Sequence, residues 1–151
     1  ENVELKSFLD VVIRNKISGK ITIIDLKTST RSWTDYHKKN FYKKAQLLLY
    51  KQFYSEKFDV PLDKISVEFL ILKRKIAKKS DFPISRLQRF EPANGKVSVN
   101  KTMKAFTEFR EAIYDKSGNH KTDRNYNASP GSACKFCEFV KTEHCEWGKI
   151  L

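Results

Sequence analysis

The sequence has few cysteines, prolines and glycines, and it has no long apolar run. It contains 3 Cys, 4 Pro and 5 Gly among 151 residues. Three cysteines, an odd number, do not build a disulfide framework, which favours a cytoplasmic protein. No apolar run approaches the length of a membrane span and no secretory signal is visible, so we expect no membrane contact.

Acidic residues are also scarce relative to basic ones. The chain has 18 Asp and Glu against 30 Lys and Arg, which gives a formal net charge of +12. An excess of this size favours a polyanionic partner, although a merely basic surface would give the same count. With 40% hydrophobic and 13% aromatic residues, a chain of this length forms a folded domain with a core.

What the chain does contain is a pair of apolar segments that carry isolated charges. Residues 5–14 predict one strand, with Asp10 inside its apolar run, and residues 20–25 predict a second. A short turn between them makes a hairpin, so Asp10 is expected beside Asp25. Because side chains two apart on a strand share a face, Lys27 is expected next to both.

Two carboxylates and an amine at one place are typical of metal-assisted hydrolysis. Asp10 and Asp25 can hold a hard divalent cation through oxygen. Such a cation polarises a phosphoryl oxygen and lowers the pKa of a bound water, while Lys27 stabilises negative charge or orients that water. The alternative is a hairpin with a chance internal acid and a surface Asp–Lys pair.

The segment after the hairpin predicts a helix that is capped by Thr34 or Asp35 and runs to about Phe58. Apolar residues at helical spacing predict its buried stripe: Tyr42, Ala45, Leu48, Leu49 and Phe53. Gln46 and Tyr50 lie four residues apart, so they share a neighbouring face of the helix.

The polar residues form an ordered motif along the chain: Asp10, Asp25-Leu26-Lys27, Gln46 and Tyr50. This motif resembles that of the PD-(D/E)XK nuclease superfamily. The closer resemblance is to its RecB-like exonuclease branch, which includes the CRISPR adaptation nucleases and many phage exonucleases. A lone Asp-x-Lys is a weak signal, but the ordered strand, hairpin and helix set is specific.

The resemblance implies an α/β fold, a restriction-endonuclease-like mixed β-sheet flanked by helices. It implies a DNA exonuclease that uses Mg²⁺ or Mn²⁺ in DNA repair, recombination or phage DNA metabolism, in the cytoplasm of a bacterium or a phage-infected cell. The metal would be held by Asp10, Asp25 and the backbone carbonyl of Leu26. Lys27 would act on the phosphate, with Gln46 and Tyr50 as the supporting residues.

One departure from the family pattern concerns the start of the chain. Many members carry an acid or a histidine on a helix before the first strand, and no such helix is visible here. The chain opens on Glu1 without an initiator methionine, so we expect an N-terminal remainder or a partner subunit to supply that helix. Glu1 or Glu4 would replace that acid only by accident.

Three other classes remain as alternatives at this point. A catalytically inactive PD-(D/E)XK fold would bind nucleic acid without cutting it, and a structural subunit would act only within a larger complex. A basic RNA-binding module is the third, but its aromatic stacking motifs on strands are not visible.

The rest of the sheet and the last helix follow from apolar runs. Residues 65–72 predict an interior strand, 83–91 a shorter strand, and 100–115 a helix with an apolar stripe that includes Phe106 and Phe109. We take residues 1–115 as the nuclease core and 116–151 as a C-terminal segment packed on the same domain.

Basic residues cluster in three stretches and could grip DNA: Arg31, Lys38, Lys39, Lys43, Lys73, Arg74 and Lys75. Tyr36, Phe41 and Tyr42 alternate with some of these lysines, which would suit both phosphate binding and base stacking. A solvated basic face fits the sequence equally well.

The three cysteines lie late in the chain, as Cys134-x-x-Cys137 followed by Cys145. Thiolates at this spacing can hold one metal or one corner of a cluster. The resemblance implies a 4Fe-4S cluster whose fourth ligand lies in the N-terminal remainder. Zinc held with His120 or His144 is one alternative, and reduced cysteines without a ligand are the other.

Overall fold

The computed structural model describes residues 4–75, 85–122, 131–140, 142–143 and 145. Its strands are β1 Val11–Arg14, β2 Ile21–Ser29, β3 Ile65–Lys73 and β4 Leu87–Phe90. Its α-helices are α1 Asp35–Lys39, α2 Phe41–Phe58 and α3 Lys96–Ile113, and short 3₁₀ turns span Leu62–Lys64 and Ser132–Phe136. None of the helices described is long and apolar enough to cross a bilayer.

The strands form a mixed sheet in the order β1-β2-β3-β4. β1 is antiparallel to β2, β2 is parallel to β3, and β3 is antiparallel to β4. The parallel pair is joined by the crossover that contains α1 and α2, as parallel strands require. The prediction of an α/β fold with a mixed sheet flanked by helices is therefore confirmed.

The core lies between α2 and one face of the two central strands. The register pairs Ile21 with Ile65 and Ile23 with Val67, and all four side chains are buried. Leu47 and Leu48 of α2 complete the cluster over this face. Because side chains two apart share a face, Asp25 and Lys27 lie on the same covered side of β2.

Both strands of the predicted hairpin are present with different ends. β1 begins at Val11, so Asp10 precedes the strand and the prediction of a strand over residues 5–14 is wrong at its start. β2 continues to Ser29, beyond the predicted end at Asp25, because its parallel pairing with β3 runs to the last residues of both strands.

The predicted helix after the hairpin is two helices. Asn40 has extended backbone angles, φ −60° and ψ 119°, and its side chain accepts a hydrogen bond from the Lys43 N–H at 3.0 Å. It therefore ends α1 and caps α2. Thr34 stands at the N-cap of α1 but forms no side-chain cap hydrogen bond. The assignment of Tyr42 to the buried stripe is wrong, because this side chain is 83% exposed.

The later elements also differ from prediction mainly at their ends. β3 occupies the predicted interior position, whereas the described part of β4 is limited to Leu87–Phe90. α3 begins at Lys96, four residues before the predicted start, with Gly95 at its N-cap. Phe109 was expected in the apolar stripe, but it is 61% exposed, and Val99 and Thr102 are the residues buried on this helix.

Candidate active site

The two acids of the motif lie side by side where β1 starts. The antiparallel register pairs Val11 with Ile24, so the residue before β1 lies across from Asp25. The backbone N–H of Leu26 donates a hydrogen bond of 2.8 Å to Oδ2 of Asp10. This bond holds the Asp10 carboxylate against β2, beside Asp25, although Asp10 is outside the strand.

Four side chains of the motif are joined in one series of contacts from β2 to α2. Lys27 Nζ lies 2.8 Å from Oδ2 of Asp25 and donates to Oε1 of Gln46 at 3.0 Å. Gln46 Nε2 in turn donates to the hydroxyl of Tyr50 at 2.8 Å. The Gln46 amide thus connects the ammonium to the helix, and its orientation is fixed from both ends.

Asp25 carries the most unusual electrostatic environment of the site. The residue is 3% exposed. Burial raises the pKa of its carboxyl group, the nearby Lys27 lowers it, and the negative charge of Asp10 raises it, with a net upward shift. Oδ2 of Asp25 is paired with the Lys27 ammonium at 2.8 Å and accepts no hydrogen bond from another described residue.

A buried carboxylate needs positive charge beside it, and Lys27 supplies one such charge while Asp10 adds a second negative one. Two carboxylates side by side offer the hard oxygen ligands that Mg²⁺ and Mn²⁺ prefer. In the part of the chain that is described, no group of three or more His, Cys, Asp or Glu side chains converges. Glu4 is exposed and Glu1 lies outside the described residues. The two carboxylates, Asp10 and Asp25, are ligands that fit a divalent cation.

A model of the PD-(D/E)XK nuclease superfamily matches residues 1–142. The chain belongs to this superfamily. No curated protein and no solved structure matches it. The match confirms the predicted superfamily. PD-(D/E)XK proteins are typically nucleases that use Mg²⁺ or Mn²⁺. The narrower RecB-like branch stays a prediction.

The PD-(D/E)XK sheet brings two of the predicted basic stretches together where β2 and β3 end. The backbone N–H of Arg74 donates to the Ser29 carbonyl at 2.8 Å, and the backbone N–H of Lys75 donates to the Thr30 carbonyl at 3.1 Å. Arg74 Nη2 also donates to the hydroxyl of Thr30 at 3.0 Å. Arg31 and Lys73 adjoin these residues in sequence. Four predicted basic residues, Arg31, Lys73, Arg74 and Lys75, therefore lie at one end of the two central strands, and we call this set the basic end.

The lysines of α1 and α2 have different surroundings from one another. Lys43 Nζ lies 4.6 Å from the centre of the Trp33 ring, and Lys38 Nζ lies 5.8 Å from that of Phe90. These are cation–π distances, so both side chains also pack on aromatic rings. Lys39 is exposed. The structure therefore leaves Lys39 the most open of the three for phosphate contact.

Two residues that tie the connection before α1 to the sheet were not predicted from the sequence. Trp33 is 6% exposed although it lies in a polar connection. Its backbone N–H donates to Oε1 of Gln88 at 2.6 Å, and Gln88 Nε2 donates back to the Trp33 backbone carbonyl at 3.2 Å. This pair fastens the connection before α1 to β4. The lone tryptophan among polar residues was the available signal.

The predicted cysteine site is not assembled among the described residues. Cys134 and Cys145 are partly exposed and Cys137 is exposed, all as free thiols. His120 packs on the ring of Tyr114 with the centroids 4.6 Å apart. His144, the other predicted zinc ligand, lies outside the described residues.

Proposed function

We propose that this PD-(D/E)XK protein is a metal-dependent deoxyribonuclease of the RecB-like branch, acting from DNA ends in repair, recombination or phage DNA metabolism. The observation that carries the proposal is the contact series from Asp25 through Lys27 and Gln46 to Tyr50, with Asp10 held beside its first member. A structural Asp–Lys pair would not need a helix amide to hold its ammonium.

In this proposal Asp10 and Asp25 hold Mg²⁺ or Mn²⁺, with the carbonyl of Leu26 as a further donor. When bound, the ion supplies Lewis-acid polarisation of the phosphate and a lowered pKa of water. The side chain of Lys27 is 35% exposed, so it can reach a phosphate and stabilise the negative charge that develops there. Gln46 holds the ammonium at that position, and Tyr50 holds Gln46.

DNA is the expected substrate because the chain carries a net charge of +12 and presents basic residues at the basic end of the central strands. The direct test is end-labelled single- and double-stranded DNA, incubated with Mg²⁺, Mn²⁺ or chelator. Stepwise shortening from an end that requires the metal supports the proposal. Internal nicking of a closed circular plasmid would instead indicate an endonuclease.

A second candidate is an inactive PD-(D/E)XK fold that binds nucleic acid or serves as a structural subunit. It is favoured by the absence of a third acidic ligand among the described residues. It predicts DNA binding that persists without any cleavage over a full Mg²⁺ or Mn²⁺ titration. The same end-labelled substrates therefore separate the two candidates.

Binding of DNA should weaken steeply as salt is raised, because lysines and arginines displace counterions from phosphate. Arg74 belongs to the basic end of the central strands, and its side chain donates a hydrogen bond to the hydroxyl of Thr30. Arg74→Ala should therefore weaken binding of all sequences and lower the slope of log affinity against log salt by about 1. Fluorescence anisotropy at several salt concentrations measures both.

The matched control for Arg74→Ala is Lys101→Ala, which removes one positive charge from an exposed position on α3. Its salt slope should equal that of the unaltered protein. Equal slopes for Arg74→Ala and the unaltered protein would remove the basic end from the DNA path.

We also expect a 4Fe-4S cluster on Cys134, Cys137 and Cys145, completed by a ligand outside these three. Protein purified without oxygen should be brown and contain iron and sulfide, and Cys137→Ser should lose the colour, because ligation is lost with the thiolate. Colourless protein with one zinc per chain would favour the alternative with His120. Colourless protein without metal would leave the thiols unligated.

A further inference from the structure

Tyr42 is an aromatic residue that the core does not use. It is 83% exposed, in the first turn of α2, where an amphipathic pattern had predicted a buried side chain. Its ring meets the ring of Phe41 edge to face, with centroids 5.7 Å apart and an angle of 74°. The ring is thus supported at its edge while most of its surface is open to solvent.

The position of Tyr42 on α2 connects it with the candidate active site. Tyr42, Gln46 and Tyr50 follow one another at intervals of four residues, so they form one row along the helix. Gln46 is the residue that accepts from the Lys27 ammonium. Residues four apart are separated by about 6 Å along the axis, so Tyr42 stands one turn beyond Gln46, toward the start of the helix. Helical side chains lean in that direction, which places the ring outside the site rather than in it.

Basic side chains accompany this row. Lys38 and Lys39 belong to the last turn of α1, and Lys43 and Lys44 follow Tyr42 on α2. The ammonium groups of Lys38 and Lys43 lie over the rings of Phe90 and Trp33, whereas Lys39 is exposed. A strand whose phosphate reaches Lys27 would find further positive charge within a few residues of the tyrosine. An open aromatic ring with basic residues close by in the chain is a combination with which proteins hold unpaired nucleotides, the ring stacking on a base and the basic groups contacting phosphates.

We propose that Tyr42 is the stacking surface for a base next to the bond that is cut, so that the site takes DNA whose bases are unpaired there. This rests on the proposed nuclease function and adds the class of substrate. A paired base inside a duplex has both faces covered by stacked neighbours, and its pairing keeps it from turning onto the ring, whereas an unpaired base can offer a free face to the ring. The tyrosine acts on binding and position, and the bond itself is cut by the residues around Asp25.

The test measures binding in an Asp25→Asn background, so that cleavage neither destroys the probe nor decides the result. The probes are a fluorescent oligothymidylate and an abasic oligomer of the same length, which has the phosphates without the bases. Tyr42→Ala should weaken oligothymidylate binding on the order of tenfold and leave the abasic oligomer unchanged. Tyr42→Phe keeps the ring and should bind both probes like the parent.

The matched control is Phe109→Ala on α3, which removes an aromatic side chain that is 61% exposed. It should change neither affinity. Equal oligothymidylate binding by Tyr42→Ala and its parent, or equal losses on both probes, would overturn the stacking role. These results do not depend on cleavage, so they are distinct from a failure of the nuclease proposal, which is read from the unaltered protein on end-labelled DNA.

Discussion

Asp25→Asn should abolish metal-dependent cleavage of DNA while the protein stays folded. Asparagine keeps the shape of the side chain and removes the negative charge that a divalent cation needs. Asp25 is buried beside Asp10, and Lys27 balances only one of these two negative charges, so the pair of carboxylates is the place for a cation. We expect no product above the chelator control on end-labelled DNA, even at the highest Mn²⁺ concentration.

The fold provides an independent check on this variant. Burial opposes the charged form of Asp25, and its pKa is raised, so removing the charge does not remove a net stabilising contribution. The melting temperature of the metal-free variant should therefore be equal to or higher than that of the metal-free parent. Glu108→Gln, an exposed acid on α3, is the matched control and should retain full activity. Cleavage by Asp25→Asn at the parent rate would show that the active site has been assigned wrongly.

The strands could be predicted where burial decides them. β3 carries buried apolar side chains at every second position, Ile65, Val67, Phe69 and Ile71, and its interior place in the sheet was confirmed. The start of β1 could not be predicted, because the apolar residues before Asp10 look like strand residues but form no ladder with β2. Pairing partners, rather than local preference, set that boundary.

The contacts within the site are also of two kinds: those between residues close in sequence, which can be predicted, and those between distant residues, which cannot. The two-residue spacing of Asp25 and Lys27 and the four-residue spacing of Gln46 and Tyr50 are local, and the structure places each pair in contact. The hydrogen bond between Lys27 and Gln46 joins residues 19 apart in sequence, and it depends on how α2 lies over the sheet. The catalytic roles of these residues remain predictions that the variants test.

The residues that could not be predicted are those whose partners are distant. Trp33 and Gln88 are 55 residues apart, and nothing in either local sequence indicates that they pair. Tyr42 is exposed because the buried face of α2 is centred on Leu47, Leu48 and Lys51. At 3.6 residues per turn, Tyr42 lies more than a quarter turn away from that face. Helical spacing alone does not say which of two neighbouring faces the sheet covers.

Lys27→Ala should lower turnover far more than it lowers metal affinity. The ammonium is held between Oδ2 of Asp25 and Oε1 of Gln46, at 2.8 and 3.0 Å, so it is fixed before substrate arrives. A preorganised charge of this kind acts on the negative charge that develops in the transition state. Losing one such group typically costs roughly a hundredfold or more in rate. Single-turnover cleavage at saturating Mn²⁺ and saturating DNA measures that loss without a contribution from binding.

Two comparisons decide whether the loss belongs to the charge at this position. Lys101→Ala removes an exposed lysine from α3 and should cut at the parent rate, which separates a local effect from a change in net charge. Lys27→Ala also frees Asp25 from a positive neighbour, so its metal affinity should rise or stay constant rather than fall. A Lys27→Ala protein that regains the full rate simply with more Mn²⁺ would place the lysine in metal binding and contradict its action on the phosphate.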